Sequence, residues 1–244
     1  MLTKNPFFSL VLPCYNEAEH LNESVVKIIT VLRNLKVPFE IIFIDDKSKD
    51  TTRQLLKKII KKYPQYKISV IYHTKNLGRG ATVAQGILKA KGKIVGYLDI
   101  DCEISPLYLK VFLRELKKDI DILIAKRLYK FSIFALPRFI ASRLYALIVK
   151  KVFDLPVSDT EAGFKLFQKD KILGLISKVK DKHWFWDTEI IVVAHKHGLK
   201  VKEIPVSFKR RLDKTSTVNL TADSIKYIQG IYNLKRKLEK SQNK

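Results

Sequence analysis

The carboxylates at alternate positions are the residues of this sequence with the most evident chemistry. Asp99, Asp101 and Glu103 follow Ile94–Leu98, a short apolar run punctuated by Gly92 and Gly96. Such a run is the pattern of a buried strand. Side chains alternate along a strand, so residues 99, 101 and 103, leaving its carboxyl end, are expected to point the same way. Three like charges gathered there repel one another, and a hard divalent cation between them relieves the repulsion. Magnesium commonly takes one or two protein carboxylates and fills its shell with water and phosphate oxygens. The expectation is Mg2+ or Mn2+ held by Asp99, Asp101 and Glu103 against a diphosphate. On spacing alone the alternative is an acidic loop in which Glu103 or Ser105 caps a helix starting at Pro106.

Other acids recur at the same kind of place. Glu17 follows the apolar run Phe7–Leu12, and Asp45 and Asp46 close the run Glu40–Ile44. Any one of these is an ordinary cap or turn residue. Glu17, Asp45, Asp46, Asp99 and Asp101 at one predicted edge suit a nucleotide, because a carboxylate accepts from a base N–H while a metal takes the diphosphate. A basic loop, Asn76–Ala81, brings Arg79 to the same nucleotide set. Farther on, Asp187 and Glu189 open a helix. They are candidates for a base, or else form the acidic first turn that a helix dipole favours.

The elements that must position these residues alternate. Strands are expected at Phe7–Leu12, Glu40–Ile44, Ile68–Tyr72, Ile94–Leu98 and Asp121–Ala125, separated by helices. Asn16 with Glu19 three residues later reads as the start of the first helix. The helix after Pro106 is expected to reach Lys118. This rhythm means right-handed βαβ units and a mainly parallel sheet, an α/β fold whose strands deliver polar residues to one edge. The second half reads differently. A helix at Leu136–Val152 carries Leu136, Ile140, Leu144, Leu147 and Ile148 on one face, with Arg138, Ser142 and Tyr145 on another. A last strand, Val201–Phe208, leads into a cationic stretch, and a basic helix near Asp223–Lys237 closes the chain. One domain is expected over residues 1–244: a nucleotide-binding half at 1–128, an acceptor half at 129–215, and a C-terminal helix and tail at 216–244.

Several chemistries are excluded. Gly78-Arg79-Gly80 does not complete G-x-G-x-x-G, because position 83 is Val, and no Walker lysine motif is present. A zinc site fails as well, since His183, His195 and His197 have neither a nearby cysteine nor an H-E-x-x-H pattern. Two cysteines without C-x-x-C point to a reducing compartment, and no secretory leader or membrane span is read. The charge is unusual: 47 Lys and Arg against 24 Asp and Glu leave +23. That field attracts phosphorylated substrates, anionic lipid headgroups or nucleic acid. The basic residues are spread over every helix without an RNA-binding signature, so nucleic acid is set aside as a partner.

The strings LPCYNEAEHL, IDDKSKDTT, NLGRGATVAQGILKAKGKIVGYLDID, SDTEAGFKLF and WFWDTEI, in this order, resemble the family 2 glycosyltransferases of GT-A fold. Within that family they are most similar to polyprenyl-phosphate (dolichyl-phosphate) mannose and glucose synthases, over roughly residues 7–215. The resemblance implies a nucleotide sugar donor, GDP-mannose or UDP-glucose, and a divalent metal. It implies that Pro13, Tyr15 and Glu17 lie along the nucleoside, that Asp46 accepts from the base, and that Asp99 and Asp101 form the Asp-x-Asp pair. Glu103 stands where the mannose synthases often carry Gln. Arg127, Arg138 and Ser142 match positions that hold the acceptor phosphate. The residue types agree with such an acceptor. A phosphate monoester, with a second pKa of about 6, is already mostly dianionic at neutral pH and needs cations rather than a base. Arg127, Arg138, Arg211 and Lys214 suit that task. A hydroxyl acceptor would instead need a positioned base, for which Asp187 and Glu189 are the candidates. Asp101, Arg127, Arg138, Asp187 and Glu189 are thus the catalytic candidates. The chain is expected to work in the cytoplasm, peripheral on the cytoplasmic face of an anionic membrane. The amphipathic stretch Phe131–Val152 and the basic C-terminal helix are its candidate contacts.

Overall fold

The computed structural model describes residues 5–116, 119–129, 136–211 and 220–242, and of residues 136–138, 220–225 and 241–242 it describes the backbone. In chain order the elements are β1 (Phe8–Cys14), α1 (Leu21–Asn34), β2 (Phe39–Asp45), α2 (Thr52–Lys62), β3 (Lys67–Tyr72), α3 (Arg79–Lys89), β4 (Ile94–Leu98), α4 (Tyr108–Glu115) and β5 (Ile122–Tyr129). They continue with α5 (Leu136–Phe153), β6 (Phe164–Gln168), α6 (Lys169–Ile176), α7 (Trp186–Lys196), β7 (Val201–Phe208) and α8 (Leu220–Gln242).

The described residues build one seven-stranded sheet in the order β3-β2-β1-β4-β6-β5-β7. Strands β1 to β4 are parallel, as the alternating pattern requires. The chain steps outward from β1 to β3, and α3 then carries it back across β1 to β4. Strand order therefore reverses between β1 and β4, and open α/β sheets bind ligands outside the carboxyl ends of the strands at such a point. Both faces are covered. Leu10, Leu12, Ile41 and Phe43 pack with α1, α2 and α4 on one side, while Val11, Ile42 and Ile44 pack with α3 and α7 on the other. This is why β1 and β2 are apolar runs rather than alternating ones.

The sheet has one strand that the sequence pattern does not announce. β6 runs antiparallel between β4 and β5, pairing Tyr97 with Lys165 and Ile124 with Lys165. A lysine as the second residue of a short strand, Phe164-Lys165-Leu166-Phe167-Gln168, reads as a loop residue until its partner is known. Two helix boundaries also differ from expectation. The first helix begins at Leu21 rather than at Asn16. Asn16 has φ 55° and its Oδ1 accepts from the Lys49 N–H at 2.7 Å, while the Glu17 N–H donates to Thr52 Oγ1 at 2.8 Å. The polar side chains of these two strand-end loops serve each other instead of capping the helix. After Pro106 the helix is shorter than expected, Tyr108–Glu115, and the Lys118 boundary lies outside the described residues.

In α5 the buried apolar residues are Val149 and Phe153, whereas Ile140, Leu144, Leu147 and Ile148 are exposed. The apolar face expected there is thus not the face that meets the core.

Helix α3 packs on the sheet so closely that a methyl group at Gly86 would overlap Val11 in the middle of β1. In an ordinary helix, Gly to Ala gains about 1 kcal/mol. Here Gly86→Ala is expected to lose about 1–3 kcal/mol through overpacking. A lowered urea midpoint at unchanged slope would bear this out, and a raised midpoint would contradict it.

Candidate active site

At the end of β2 the two aspartates are committed to the protein. The fully buried Asp45 accepts from Arg53 Nε at 2.5 Å and from the Ser48 N–H. Asp46 accepts from the Leu77 N–H at 2.7 Å and the Gly78 N–H at 2.9 Å, and shares a 2.7 Å hydrogen bond with His73 Nδ1. These bonds fasten the loop that starts α3 to the end of β2. Three of the Asp46 acceptor sites are thus taken by its own chain, two on Oδ1 and one on Oδ2. Pro13 is buried in β1 opposite Ile44, and Glu17 is buried just beyond it. Tyr15, just past the end of β1, is half-buried.

Arg79, the first residue of α3, reaches the end of β4. Its Nε and Nη2 donate to Asp99 Oδ1 at 3.1 and 2.6 Å, and its Nη1 donates to Asp187 Oδ2. Asp187 also accepts from Lys165 Nζ at 2.7 Å and from the Tyr97 hydroxyl. Lys165 has no exposed side-chain surface, and its Nζ donates a second bond to the Ala162 carbonyl. Burial by itself would raise the Asp187 carboxyl, but Arg79 and Lys165 outweigh it and hold the group below the usual carboxylate range. Loss of solvent pushes Asp99 the other way; Arg79 opposes that shift, and Asp101 and Asp187 add to it. A methyl group at Gly163 would overlap the Asp99 carboxylate, so only glycine fits beside it.

The expected three-carboxylate set does not assemble. β4 ends at Leu98, and the next residues turn: the Cys102 N–H donates to the Asp99 carbonyl and Cys102 has φ 55°. Strand alternation therefore stops before position 103. Glu103 Oε1 accepts from the Arg211 N–H at 2.9 Å, and Arg211 donates on to the Asp101 carbonyl and to Glu23. Among the described residues no three His, Cys, Asp or Glu side chains converge as a metal-binding group. The donor set that fits a cation is the neighbouring pair Asp99 and Asp101, two carboxylates that repel each other, with the remaining positions left to water and phosphate oxygens.

A second cleft lies past the end of β5. Lys126, Arg127, Tyr129, Ser142 and Arg143 line it together with the turn 158–161. Arg127 uses Nε and Nη2 to grip Asp159 at 2.8 and 2.7 Å, with Glu161 at 3.8 Å. Burial lowers the Arg127 pKa, yet Asp159 more than compensates and keeps it charged. Glu203 on β7 accepts from Ser158 and from Lys126, which fixes the turn. The structure thus brings together two of the expected acceptor residues, Arg127 and Ser142. Arg211 belongs with the Asp101 loop instead. Arg138 begins α5 but its side chain, like all of Lys214, lies outside the described residues.

The two base candidates are corrected. Asp187 is enclosed by three donors. Glu189 Oε2 accepts from the Lys180 and Asp181 N–H groups at 2.9 and 2.8 Å, and Lys237 of α8 reaches its Oε1 at 3.3 Å. Both are buried, and the bonds they accept come from the protein's own donors. Lys165, Tyr97, Gly163 and Glu161 were not singled out from the sequence. Their only signal was membership of the apolar-flanked strings SDTEAGFKLF and IVGYLDID. Glu161 carries a carboxyl raised by burial, a shift that Arg127 opposes and Asp159 adds to.

A family model described as glycosyl transferase family 2 matches residues 9–174. A dolichyl-phosphate beta-glucosyltransferase ALG5A of Trichomonas vaginalis is 27% identical over 236 residues, which cover 90% of this chain and 72% of that protein. A dolichyl-phosphate beta-glucosyltransferase of Dictyostelium discoideum is 28% identical over 263 residues, 95% of this chain and 79% of the relative. Among solved structures, glucosyl-3-phosphoglycerate synthase of Mycobacterium tuberculosis, in complex with Mn2+, UDP and glucosyl-3-phosphoglycerate, superposes with TM-score 0.66 at 18% identity, over 94% of this chain and 80% of that one. At that identity the likeness speaks for the GT-A fold alone.

The Asp187 cluster makes a pH prediction with a definite sign. Its folded pKa is depressed, so its stabilisation is complete well above the unfolded value of about 3.9 and fades as pH falls below it. Asp187→Asn leaves Lys165 buried without its counter-charge, at a cost of about 3–5 kcal/mol near neutral pH. The gap in denaturant midpoint between wild type and Asp187→Asn should be widest above about pH 5 and should narrow towards pH 3. A gap that widens on acidification would contradict the assignment.

Proposed function

Because the chain belongs to glycosyl transferase family 2, we propose that it moves a hexose from a nucleotide sugar to a polyprenyl phosphate, with inversion at the anomeric carbon. The observation that carries this reading is the state of Asp187. A hydroxyl acceptor needs a base, and the carboxylate best placed by sequence is held by Arg79, Lys165 and Tyr97. A phosphate acceptor needs cations instead, and Arg127, Lys126 and Arg143 line the cleft beside Ser142. Arg127 grips Asp159 through Nε and Nη2, an orientation that leaves Nη1 to meet a phosphate oxygen. Arg138 and Lys214 remain proposed partners of that phosphate.

The donor belongs at the reversal point between β1 and β4, with Tyr15 and Glu17 along the nucleoside. Glucose is favoured over mannose by the names of the two dolichyl-phosphate relatives, and UDP-glucose over GDP-mannose with it. Asp99 and Asp101 would hold Mg2+ or Mn2+, which supplies charge compensation for the diphosphate leaving group. Arg79 keeps Asp99 oriented, and Gly163 leaves room for its carboxylate.

The lipid must be met at a surface, since among the described residues no helix is long and apolar enough to cross a membrane. Helix α5 offers Ser142 and Tyr145 to the acceptor cleft and exposes Ile140, Leu144 and Leu147 on its other side, with Lys150 and Lys151 in its last turn. That face, with the net charge of +23, fits an anionic bilayer on the cytoplasmic side. One observation favours a second reading, a hydroxyl acceptor: Glu161 lies in the cleft with a raised carboxyl, as a base would.

Labelled UDP-glucose and GDP-mannose, each offered with polyprenyl phosphate or with polyprenol, separate the two readings. Label is expected in polyprenyl phosphate from UDP-glucose and in neither polyprenol sample. Glucosyl transfer to polyprenol alone would move the reading to Glu161 and a hydroxyl acceptor. For the surface contact, co-sedimentation with anionic vesicles should be strong at low salt and fall as salt screens the charge; equal binding to neutral vesicles would count against it.

A further inference from the structure

Much of the negative charge around Asp99 is met by the protein's own cations. Arg79 and Lys165 face Asp99 and Asp187, two positive groups against two negative ones, joined by direct hydrogen bonds. Arg79 and Lys165 also lie against the face of the Tyr97 ring, and Arg79 against Trp184. Asp99 Oδ1, an oxygen that would serve a cation, carries both Nε and Nη2 of Arg79. Asp101 is the one further acid of the cation pair. A divalent cation entering alone would therefore add positive charge beside Arg79 and would compete with its two N–H groups for Asp99 Oδ1. A cation entering with a diphosphate brings its own balancing anion, which can also accept from Arg79.

We propose that Arg79 is an internal counter-cation which makes divalent-cation binding at Asp99 and Asp101 conditional on a nucleoside diphosphate. The inference rests on the donor-site reading given above and adds to it an order of binding: the cation is retained only with the diphosphate. Arg79 is in this respect a positioning residue for Asp99 that doubles as a gate on cation affinity. Its removal leaves Asp187 still paired with Lys165 and Tyr97, so the interior keeps its neutralising partner.

The test measures Mn2+ binding to the full chain from the electron paramagnetic resonance signal of free Mn2+, with and without UDP or GDP, and needs no sugar transfer. Wild type should bind Mn2+ alone weakly and about tenfold or more tightly with nucleotide present. Arg79→Gln should bind Mn2+ alone about tenfold more tightly than wild type and lose most of the nucleotide enhancement. Arg79→Lys, which keeps the charge without the fork, should stay conditional like wild type. Folding of each variant is checked by thermal melting. Wild type that binds Mn2+ equally with and without nucleotide overturns the proposal, whatever the variants do. A folded Arg79→Gln chain that binds Mn2+ alone no more tightly than wild type overturns it as well. Failure of UDP and GDP to bind at all overturns the donor-site reading itself, a result distinct from nucleotide binding with unconditional Mn2+ affinity.

Discussion

Lys165 has no exposed side-chain surface and sits in the middle of a sheet, on the strand that joins the two halves of the molecule. An ammonium in such a place is tolerable only if a counter-charge and further acceptors meet it. Asp187 from α7 and the Ala162 carbonyl do so. The consequences spread outward from this pair. β6 can lie between β4 and β5 because its one charged side chain is neutralised beneath the sheet. α7 is fixed against β4 because its Asp187 also takes the Tyr97 hydroxyl. Arg79 is then held between Asp187 and Asp99, and the carboxylate at the end of β4 acquires a fixed direction. An interior ion pair thus couples the sheet to the orientation of a candidate metal ligand.

The second half of the chain acts on the site mainly through other residues. Glu203 on β7 ties down Ser158, the neighbouring Asp159 grips Arg127, and Arg127 lies against the Tyr129 and Phe208 rings. The Arg127 guanidinium is in this way kept from folding back along its own strand. Lys237 of α8 donates to the Lys178 carbonyl and to Glu189, which itself holds the N–H groups of Lys180 and Asp181. The Lys182 carbonyl next in this loop accepts from the Ala81 N–H at the start of α3. Residues well beyond the stretch matched by the family model therefore brace the loop from which Arg79 projects.

Much of this was legible in the sequence. The parallel order of the first four strands follows from apolar runs separated by helical periodicity, and the acids at their ends fall at the sheet edge for the same reason. Asp99, Asp101 and Glu103 stand out by spacing, and Arg127 and Ser142 by the family resemblance. The order of the first strands is legible because it depends on periodicity and chain direction, which are local properties.

What tertiary structure decided was the state of each charged group. Spacing could not reveal that Asp187 and Glu189, acids at a helix start, would be enclosed by donors from other elements. It could not show that a turn at Cys102 with φ 55° ends the strand alternation before Glu103, or that Asp46 would accept from a loop 31 and 32 residues away. Nor could it make Lys165 a strand residue. In each case the outcome depends on desolvation and on partners distant in sequence, and the same carboxylate is a base, a ligand or a packed counter-ion according to which donors surround it. The sequence by itself determined where charges would gather along the sheet edge; only the fold decided which of them remained available for chemistry, because availability is set by three-dimensional pairing and not by residue type.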